Sequence, residues 1–185
     1  DIDKLCEILM DTDRKINFIF AGKAHPADEP GKTVIKAILD NQERLYEKSN
    51  GRINLIFIPN YNMKIAKMLV AGVHAWLNTP KRPLEASGTS GMKAALNGVP
   101  NISSLDGWWV EGYHNGLTGW KFGHEETVES ASLNESRESL LYEEDSLSFY
   151  KMLPNILHSF YHKNDEWEFL DKSLQNLIVN VPIFN

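Results

Sequence analysis

The stretch from residue 53 to residue 77 reads INLIFIPNYNMKIAKMLVAGVHAWL and holds two strand patterns separated by a helix pattern. Its first six residues form a nearly continuous apolar run that ends at Pro59, which is typical of a strand buried on both faces. Apolar residues then recur at helical spacing as far as Gly72, and residues 73–77 are again strand-like. A strand, a helix and a strand with short connections predict a crossover unit in a parallel sheet.

The same alternation continues on both sides of this stretch. Helix patterns are found at residues 1–10, 32–46 and, after a short loop, 83–96, and strand patterns at 16–20, 99–103 and 119–122. This order predicts an α/β fold with a doubly wound, mainly parallel Rossmann-like sheet. In such sheets ligands bind beyond the carboxyl ends of the strands.

The last forty or so residues show a helical apolar stripe. Pro154 lies inside it and is expected to kink the segment or to begin a new helix there. We therefore expect residues 1–145 to form a partial Rossmann-like lobe and residues 146–185 to form a helical segment packed on that lobe.

The composition is that of a globular protein with a sizeable core. Of the 185 residues, 42% are hydrophobic and 24% are charged. No apolar run approaches the roughly 20 residues that span a bilayer, and no signal-peptide pattern is found. We therefore expect a cytoplasmic protein without a membrane partner.

The net charge of −6 is concentrated in one stretch. Eight acidic residues and one arginine lie between His124 and Asp145, so the rest of the chain is close to neutral. Such a stretch is typical of a solvated surface and does not exclude a phosphate site elsewhere. No basic patch is large enough to indicate nucleic acid binding.

Histidine and cysteine positions give no typical metal site. Cys6 is the only cysteine, which excludes an internal disulfide and a cysteine-based zinc site. His158 and His162 are four residues apart, but the acid of the zinc-protease motif is missing between them. We therefore expect helix-surface histidines and no bound metal.

Residues 85–93, Glu85-Ala-Ser-Gly-Thr-Ser-Gly-Met-Lys93, combine a carboxylate, two glycines and three hydroxyl side chains at the start of a predicted helix. Free amides at a helix N-terminus favour an anion, and glycines let the backbone approach it. Lys93 lies one turn after Thr89 on the same face, so this turn can hold a molecule with both a phosphate and an aldehyde, such as pyridoxal phosphate. The alternative is an ordinary helix capped by Ser87 or Thr89, with Lys93 in solvent.

This segment closely resembles the cofactor-binding segment of the α-glucan (glycogen/maltodextrin) phosphorylases, most nearly the short bacterial and archaeal type. The resemblance covers roughly residues 15–124 and includes matching stretches in the family's order: Phe20-Ala-Gly-Lys-Ala-His-Pro26, Asn60-Tyr61, Trp76-Leu-Asn-Thr-Pro80, Ala94-Ala-Leu-Asn-Gly98 and Leu105-Asp-Gly107. It implies that the chain is the C-terminal lobe of a two-lobed GT-B glycosyltransferase fold.

The activity that this resemblance implies is retaining phosphorolysis of α-1,4-glucan to glucose 1-phosphate with pyridoxal 5'-phosphate as cofactor. Lys93 and Glu85 are the implied catalytic residues. The implied cofactor ligands are Lys93, Thr89, Ser90 and Tyr61. The glucosyl unit is expected to bind Glu85 and the amides of Ala86, Ser87 and Gly88.

Two further residues are expected near the substrate. A cofactor phosphate and a substrate phosphate in one pocket repel each other, so cations must offset them. The local cations are Lys23, Lys81 and Arg82, of which Arg82 is the best candidate because it is close to Glu85. His25 falls at a strand end that a ligand can reach.

The resemblance also implies partners. These are α-1,4-glucan with inorganic phosphate or glucose 1-phosphate, and the N-terminal lobe of the same enzyme; a homo-oligomer is compatible with the sequence. The family's basic segment that grips both phosphates normally precedes the first strand found here. We therefore expect this chain alone to be inactive.

Two alternative functions are kept. A nucleotide-sugar-dependent glucan synthase of the same fold places a second glutamate eight positions after the first, where this chain has Lys93. A carboxylate accepts hydrogen bonds from ribose hydroxyls, whereas an ammonium cannot. A non-catalytic carbohydrate-binding module also fits the fold, although Glu85 and Lys93 argue against it.

Overall fold

The computed structural model describes residues 1–9, 15–115, 117–123 and 134–161. The chain divides into two compact units, unit 1 (Asp1–Ala66) and unit 2 (Lys67–Asn185). Among the described residues, unit 1 contains two strands and unit 2 contains three, and each unit is described by itself.

Unit 1 is built on two parallel strands joined by a long helix. Its elements are α1 (Ile2–Leu9), β1 (Ile16–Ala21), α2 (Glu29–Lys48) and β2 (Ile53–Ile58). β1 and β2 pair in parallel along their whole lengths. α2 packs on β2, where the side-chain amide of Gln42 donates a 2.6 Å hydrogen bond to the Leu55 carbonyl. This is one of the crossovers that the alternation of strands and helices predicts. The crossover predicted over residues 53–77 is not formed within one sheet of the described residues, because β2 pairs with β1, whereas the strand at Trp76–Asn78 belongs to a separate three-stranded sheet.

A buried serine joins the end of α2 to the start of β2. Ser49, directly after the helix, is 0% exposed, and its Oγ accepts a hydrogen bond from the Ile53 amide at 3.0 Å. Leu45 in the last turn of α2 and Ile53 are each 1% exposed. The hydroxyl therefore satisfies a backbone amide that burial would otherwise leave unpaired.

Unit 2 contains a three-stranded parallel sheet with strand order β3-β4-β5. The strands are β3 (Trp76–Asn78), β4 (Asn101–Ser104) and β5 (Gly119–Phe122). The helices are α3 (Met63–Gly72), which begins in unit 1, α4 (Thr89–Leu96), α5 (Trp109–Gly112) and α6 (Glu135–Tyr161). The parallel strands and intervening helices confirm the predicted α/β class.

Helices cover both faces of this sheet. The Asn101 side chain bonds to the Gly91 carbonyl of α4, whereas the next residue, Ile102, packs with Phe122 and with Ile156 of α6. Because successive side chains of a strand point to opposite faces, α4 and α6 lie on opposite sides of β4. This is the layering of a doubly wound sheet.

Most of the predicted elements are present with small shifts in their ends. The strands expected at 53–58 and 119–122 coincide with β2 and β5, and the third strand begins at Trp76 rather than at residue 73. α5 was not expected, because its sequence Trp109-Val-Glu-Gly112 is too short to show periodicity. α6 runs through Pro154, and residues 162–185, including His162, lie outside the described residues.

The predicted division at residues 145 and 146 falls inside α6, which begins at Glu135. α6 packs on the sheet through Phe149, Met152 and Ile156. The division into a lobe and a helical segment stays a prediction. In the ranges that the structure describes, every helix is too short or too polar to cross a lipid bilayer.

Candidate functional site

The candidate site lies beyond the carboxyl ends of the strands of unit 2. The β3–α4 loop (residues 79–88) follows β3 and contains most of the predicted substrate ligands. It begins with a turn in which the Leu84 amide donates to the Lys81 carbonyl at 2.8 Å. The β4–α5 loop (residues 105–108) follows β4 and supports it from the adjacent strand.

The carboxylate of Asp106 fixes the two loops together. Its Oδ2 accepts a hydrogen bond from the Glu85 amide at 3.0 Å, and its Oδ1 accepts one from the Gly107 amide at 2.9 Å. The Trp108 amide donates to the Ser87 carbonyl at 2.7 Å. The first and third bonds hold the backbone at Glu85 and at Ser87, and the bond from Gly107 orients the Asp106 carboxylate.

Two glycines make room for the half-buried Glu85 side chain. Gly88 and Gly107 have φ of 82° and 54°, in the left-handed region that favours glycine. A Cβ at Gly107 would lie 2.6 Å from the Ser87 carbonyl oxygen and 3.0 Å from Glu85 Cγ. A Cβ at Gly88 would lie 3.2 Å from Trp108 and 3.6 Å from Glu85 Cγ. The two loops can therefore meet this closely only because both positions are glycine.

The start of α4 is free of a side-chain cap. Its N-cap is Gly88, so the expected cap at Ser87 or Thr89 is not formed, whereas the exposed Lys93 agrees with the other part of that alternative. In the described part of the chain, the amides of Ala86, Ser87 and Gly88 have no hydrogen-bond acceptor. First-turn amides of a helix also lack an intrahelical acceptor. These donors can receive an external anion or hydroxyl.

Thr89 and Lys93 are both exposed, and Ser90 is half-buried. Because Thr89 and Lys93 are four residues apart within α4, they lie on one face of the helix. Helical side chains generally lean toward the helix N-terminus, which favours a position of the Lys93 amine over the turn that starts with Thr89. The arrangement can hold an anion at the amides and a carbonyl compound at the amine.

Arg82 does not line this surface. Its side chain is 2% exposed and pairs with Asp145 of α6, with Nε donating to Oδ2 at 3.0 Å and Nη2 to Oδ1. Lys81 likewise pairs with Glu138. The expectation that Arg82 offsets substrate phosphate therefore needs correction, because its guanidinium is already committed to a carboxylate.

Tyr61 and His25 belong to unit 1. Tyr61 is half-buried just after β2, and His25 is exposed after β1, where its Nδ1 accepts a hydrogen bond from the Ala27 amide at 3.1 Å. Both follow the carboxyl ends of strands, as predicted from the sequence. Their roles toward cofactor and substrate stay predictions.

Sequence reasoning missed the residues that support the site. Asp106 was noted only as part of a family motif, yet it fixes Glu85. Asn101 is 1% exposed and donates from Nδ2 to the Gly91 carbonyl at 3.2 Å, which ties α4 to β4. A polar residue in an apolar strand and an aspartate at a strand's carboxyl end are the signals that could have indicated both.

Comparison with known proteins places the chain in a family. A family model described as carbohydrate phosphorylase matches residues 6–180. Maltodextrin phosphorylase of Thermococcus litoralis is 40% identical over 93% of this chain and 19% of its own length. Glycogen phosphorylase of Aquifex aeolicus is 42% identical over 90% of this chain and 22% of its own length. The chain thus spans about a fifth of the length of these relatives.

The fold is also that of a solved structure. The crystal structure of Anabaena HepE in complex with UDP-glucose matches with a TM-score of 0.61 and 16% identity, covering 96% of this chain and 39% of that chain. This likeness shows that the chain shares the fold of the matched part of that structure, and it agrees with the predicted Rossmann-like α/β class. Together with the family match over residues 6–180, it leads to one conclusion: this chain belongs to the carbohydrate phosphorylase family.

Proposed function

We propose that this chain forms the cofactor- and glucosyl-binding lobe of an α-glucan phosphorylase. The reaction is retaining phosphorolysis of α-1,4-glucan, which yields glucose 1-phosphate, and the chain works as part of a longer enzyme. The observation that carries the proposal is the exposed Thr89–Lys93 face beside the uncapped start of α4, next to the immobilised Glu85. A cytoplasmic location goes with this proposal.

The residues present fit pyridoxal 5'-phosphate. An N-cap without a side chain leaves the first-turn amides open to a phosphate. Lys93 is exposed and one turn away, which suits an aldehyde on the same molecule. Lys93, Thr89 and Ser90 would hold the cofactor.

When bound, the cofactor would supply a phosphate group that exchanges a proton with substrate phosphate. Lys93 would fix the aldehyde end, while the amides and hydroxyls of Thr89 and Ser90 would fix the phosphate end. A phosphate held by amide dipoles at a helix start needs no further rearrangement to act as a proton carrier. This turn of α4 therefore orients the acid–base group.

The glucosyl unit would bind at the β3–α4 loop. The Glu85 carboxylate can accept hydrogen bonds from sugar hydroxyls, and the amides of Ala86, Ser87 and Gly88 can donate them. Because the Glu85 backbone is already fixed by Asp106, little conformational freedom is lost when the sugar binds. These contacts would orient the sugar for attack by phosphate.

Covalent trapping tests the cofactor assignment. The chain is mixed with pyridoxal 5'-phosphate, reduced with borohydride and mapped by peptide mass spectrometry. We expect the label at Lys93, and a near-ultraviolet or visible absorbance band that Lys93→Ala abolishes. Lys67→Ala, at an exposed lysine of α3, is the matched control and should keep both signals. A label spread evenly over surface lysines contradicts the proposal.

The same preparation separates the two alternatives. Binding of UDP-glucose without trapping of pyridoxal phosphate would favour the glucan synthase. Binding of a maltooligosaccharide, without UDP-glucose binding and without trapping of pyridoxal phosphate, would favour the non-catalytic carbohydrate-binding module. Trapping at Lys93 argues against both, because neither uses an amine at that position.

A further inference from the structure

The ion pair between Arg82 and Asp145 joins the β3–α4 loop to α6. The two residues are 63 positions apart in the chain, and their side chains are 2% and 15% exposed. Arg82 forms two parallel bonds, from Nε and Nη2, to the two carboxylate oxygens of Asp145. Such a pair fixes both the plane of the guanidinium and its distance from the carboxylate. Surface ion pairs lack this constraint, because their side chains remain mobile.

The loop after β5 meets the same ion pair. Gly123 directly follows β5 with φ of 85°, and its amide donates to Ser148 Oγ of α6 at 2.9 Å. A Cβ at Gly123 would lie 2.1 Å from Asp145 Oδ1 and 3.1 Å from Arg82 Nη2. The pair is thus enclosed where the segments after β3 and β5 meet α6.

Arg82 is three residues before Glu85 in a loop that is held at both ends. Its turn is closed by the bond from Leu84 to Lys81, and its other end is bound to the β4–α5 loop through Glu85 and Ser87. Among the described residues, the amides of Ala86, Ser87 and Gly88 after Glu85 have no acceptor. Because Arg82 lies in the turn that leads into Glu85, its fixed position constrains the path of the loop before Glu85.

We propose that Asp145 is a positioning residue: through Arg82 it orients the β3–α4 loop so that Glu85 and the following amides face the substrate. This inference rests on the proposed function for what the loop binds. It gives α6 a role in the site through Asp145, which acts on the loop by way of Arg82. Asp145→Asn should loosen the loop while the unit stays folded, because asparagine keeps one acceptor of the same size.

Amide hydrogen exchange of the whole 185-residue chain tests the proposal without any ligand. In Asp145→Asn we expect exchange at the Glu85 and Trp108 amides to accelerate about tenfold or more through local opening, with the core amides of β4 unchanged. Ser148→Ala is the matched control: it removes the α6 bond to Gly123 and should change the Glu85 and Trp108 rates less than about twofold. Unchanged rates at both amides in Asp145→Asn would overturn the proposal.

A second variant separates positioning from stability. Replacing a buried ion pair by apolar residues of similar volume often preserves stability, so Arg82→Met with Asp145→Leu should unfold near the wild-type midpoint. We still expect fast exchange at Glu85 and Trp108, because methionine and leucine lack a directional bond. Wild-type rates at both amides would mean that the pair only stabilises the unit.

The two proposals fail in different ways. If pyridoxal phosphate is not trapped at Lys93 in the wild-type chain, the proposed function fails, while the exchange rates still decide whether Asp145 holds the loop. If trapping succeeds and the exchange rates do not respond to Asp145→Asn, only the positioning role fails.

Discussion

At the scale of single residues, Gly91 illustrates how packing overrides helix propensity. Glycine inside a helix usually weakens it by about 1 kcal/mol relative to alanine. Gly91 is buried in the first turn of α4, and a Cβ there would lie 2.6 Å from Asn101 Oδ1 and 2.9 Å from Trp108 Nε1. The glycine thus lets α4 approach β4 and the β4–α5 loop, which brings the Lys93 turn close to Glu85.

Gly91→Ala should therefore destabilise the protein, against the helix propensity. We expect a loss of about 1–3 kcal/mol in the free energy of unfolding, measured by urea denaturation, because the methyl group overpacks the contact with Asn101. Gly72→Ala is the control, because Gly72 is also a helical residue, at the end of α3, and no atom lies within 4 Å of the position that its Cβ would take. That variant should stay within about 0.5 kcal/mol of wild type. Equal effects of the two would contradict the packing argument.

The residues of the site differ in how far sequence could predict them. The shared face of Thr89 and Lys93 follows from their spacing alone, because helix geometry is local. The pairing of Arg82 could not be predicted, because its partner Asp145 is 63 positions away and no local signal connects them. The bond between Glu85 and Asp106 forms because the loops after the neighbouring strands β3 and β4 lie side by side. The predicted topology brings the two loops together, but it does not say which atoms bond.

At the scale of elements, α2 begins with a side-chain cap that α4 lacks. Asp28 is the N-cap of α2, and its Oδ1 accepts a hydrogen bond from the Gly31 amide at 2.9 Å. The cap satisfies an amide at the start of α2, whereas the start of α4 has no side-chain cap. α2 and α4 therefore differ in how their N-terminal amides are satisfied.

Asp28→Ala should cost about 1 kcal/mol in the free energy of unfolding, because it leaves first-turn amides of α2 without a partner. Asp40→Ala on the same helix removes only the exposed pair with Lys36 and should cost about 0.3–0.5 kcal/mol. Urea denaturation of both variants measures the difference. No loss of stability in Asp28→Ala would show that the cap does not stabilise α2.

The stability of the protein should depend on pH through Tyr150 of α6. Burial raises the pKa of the Tyr150 phenol, and the nearby Tyr142 adds to the rise. Because the folded state favours the neutral phenol, its stabilisation is complete below the ordinary tyrosine value of 10.0 and is lost as pH rises through the higher folded-state pKa. The unfolding midpoint should therefore fall in this alkaline range, and less steeply in Tyr150→Phe. Tyr142→Phe should keep most of the pH dependence, since burial raises the pKa of Tyr150 more than the nearby Tyr142 does.

Strand prediction succeeded where proline or glycine residues mark the ends of the pattern. β2 is bounded by Pro59 and β5 by Gly119 and Gly123, and both have their predicted ends. β3 has only three residues, so its register depends on pairing with β4 rather than on its own pattern. α5 is formed because Trp109 is buried with Trp108 and Ala95, a tertiary contact that no local periodicity reports.

At the scale of the whole molecule, charge limits what the chain can do alone. Two of the three cations expected to offset the phosphates are already paired with carboxylates, Lys81 with Glu138 and Arg82 with Asp145. Phosphorolysis needs cations that are free to stabilise charge as it develops. We therefore expect no measurable glucose 1-phosphate from the purified chain with maltooligosaccharide, phosphate and cofactor. Robust turnover would show that the chain supplies those cations itself.

A chimera tests whether the chain is competent in the right context. Glycogen phosphorylase of Aquifex aeolicus aligns with 90% of this chain over 22% of its own length, at 42% identity, so this chain can replace the matching segment of that enzyme. If Glu85, Lys93 and the α4 turn act as proposed, the chimera should produce glucose 1-phosphate when pyridoxal phosphate is bound. Lys93→Ala in the chimera should abolish the activity, whereas Lys67→Ala should preserve it. A folded chimera that traps the cofactor yet remains inactive would mean that this lobe binds the cofactor without supporting phosphorolysis.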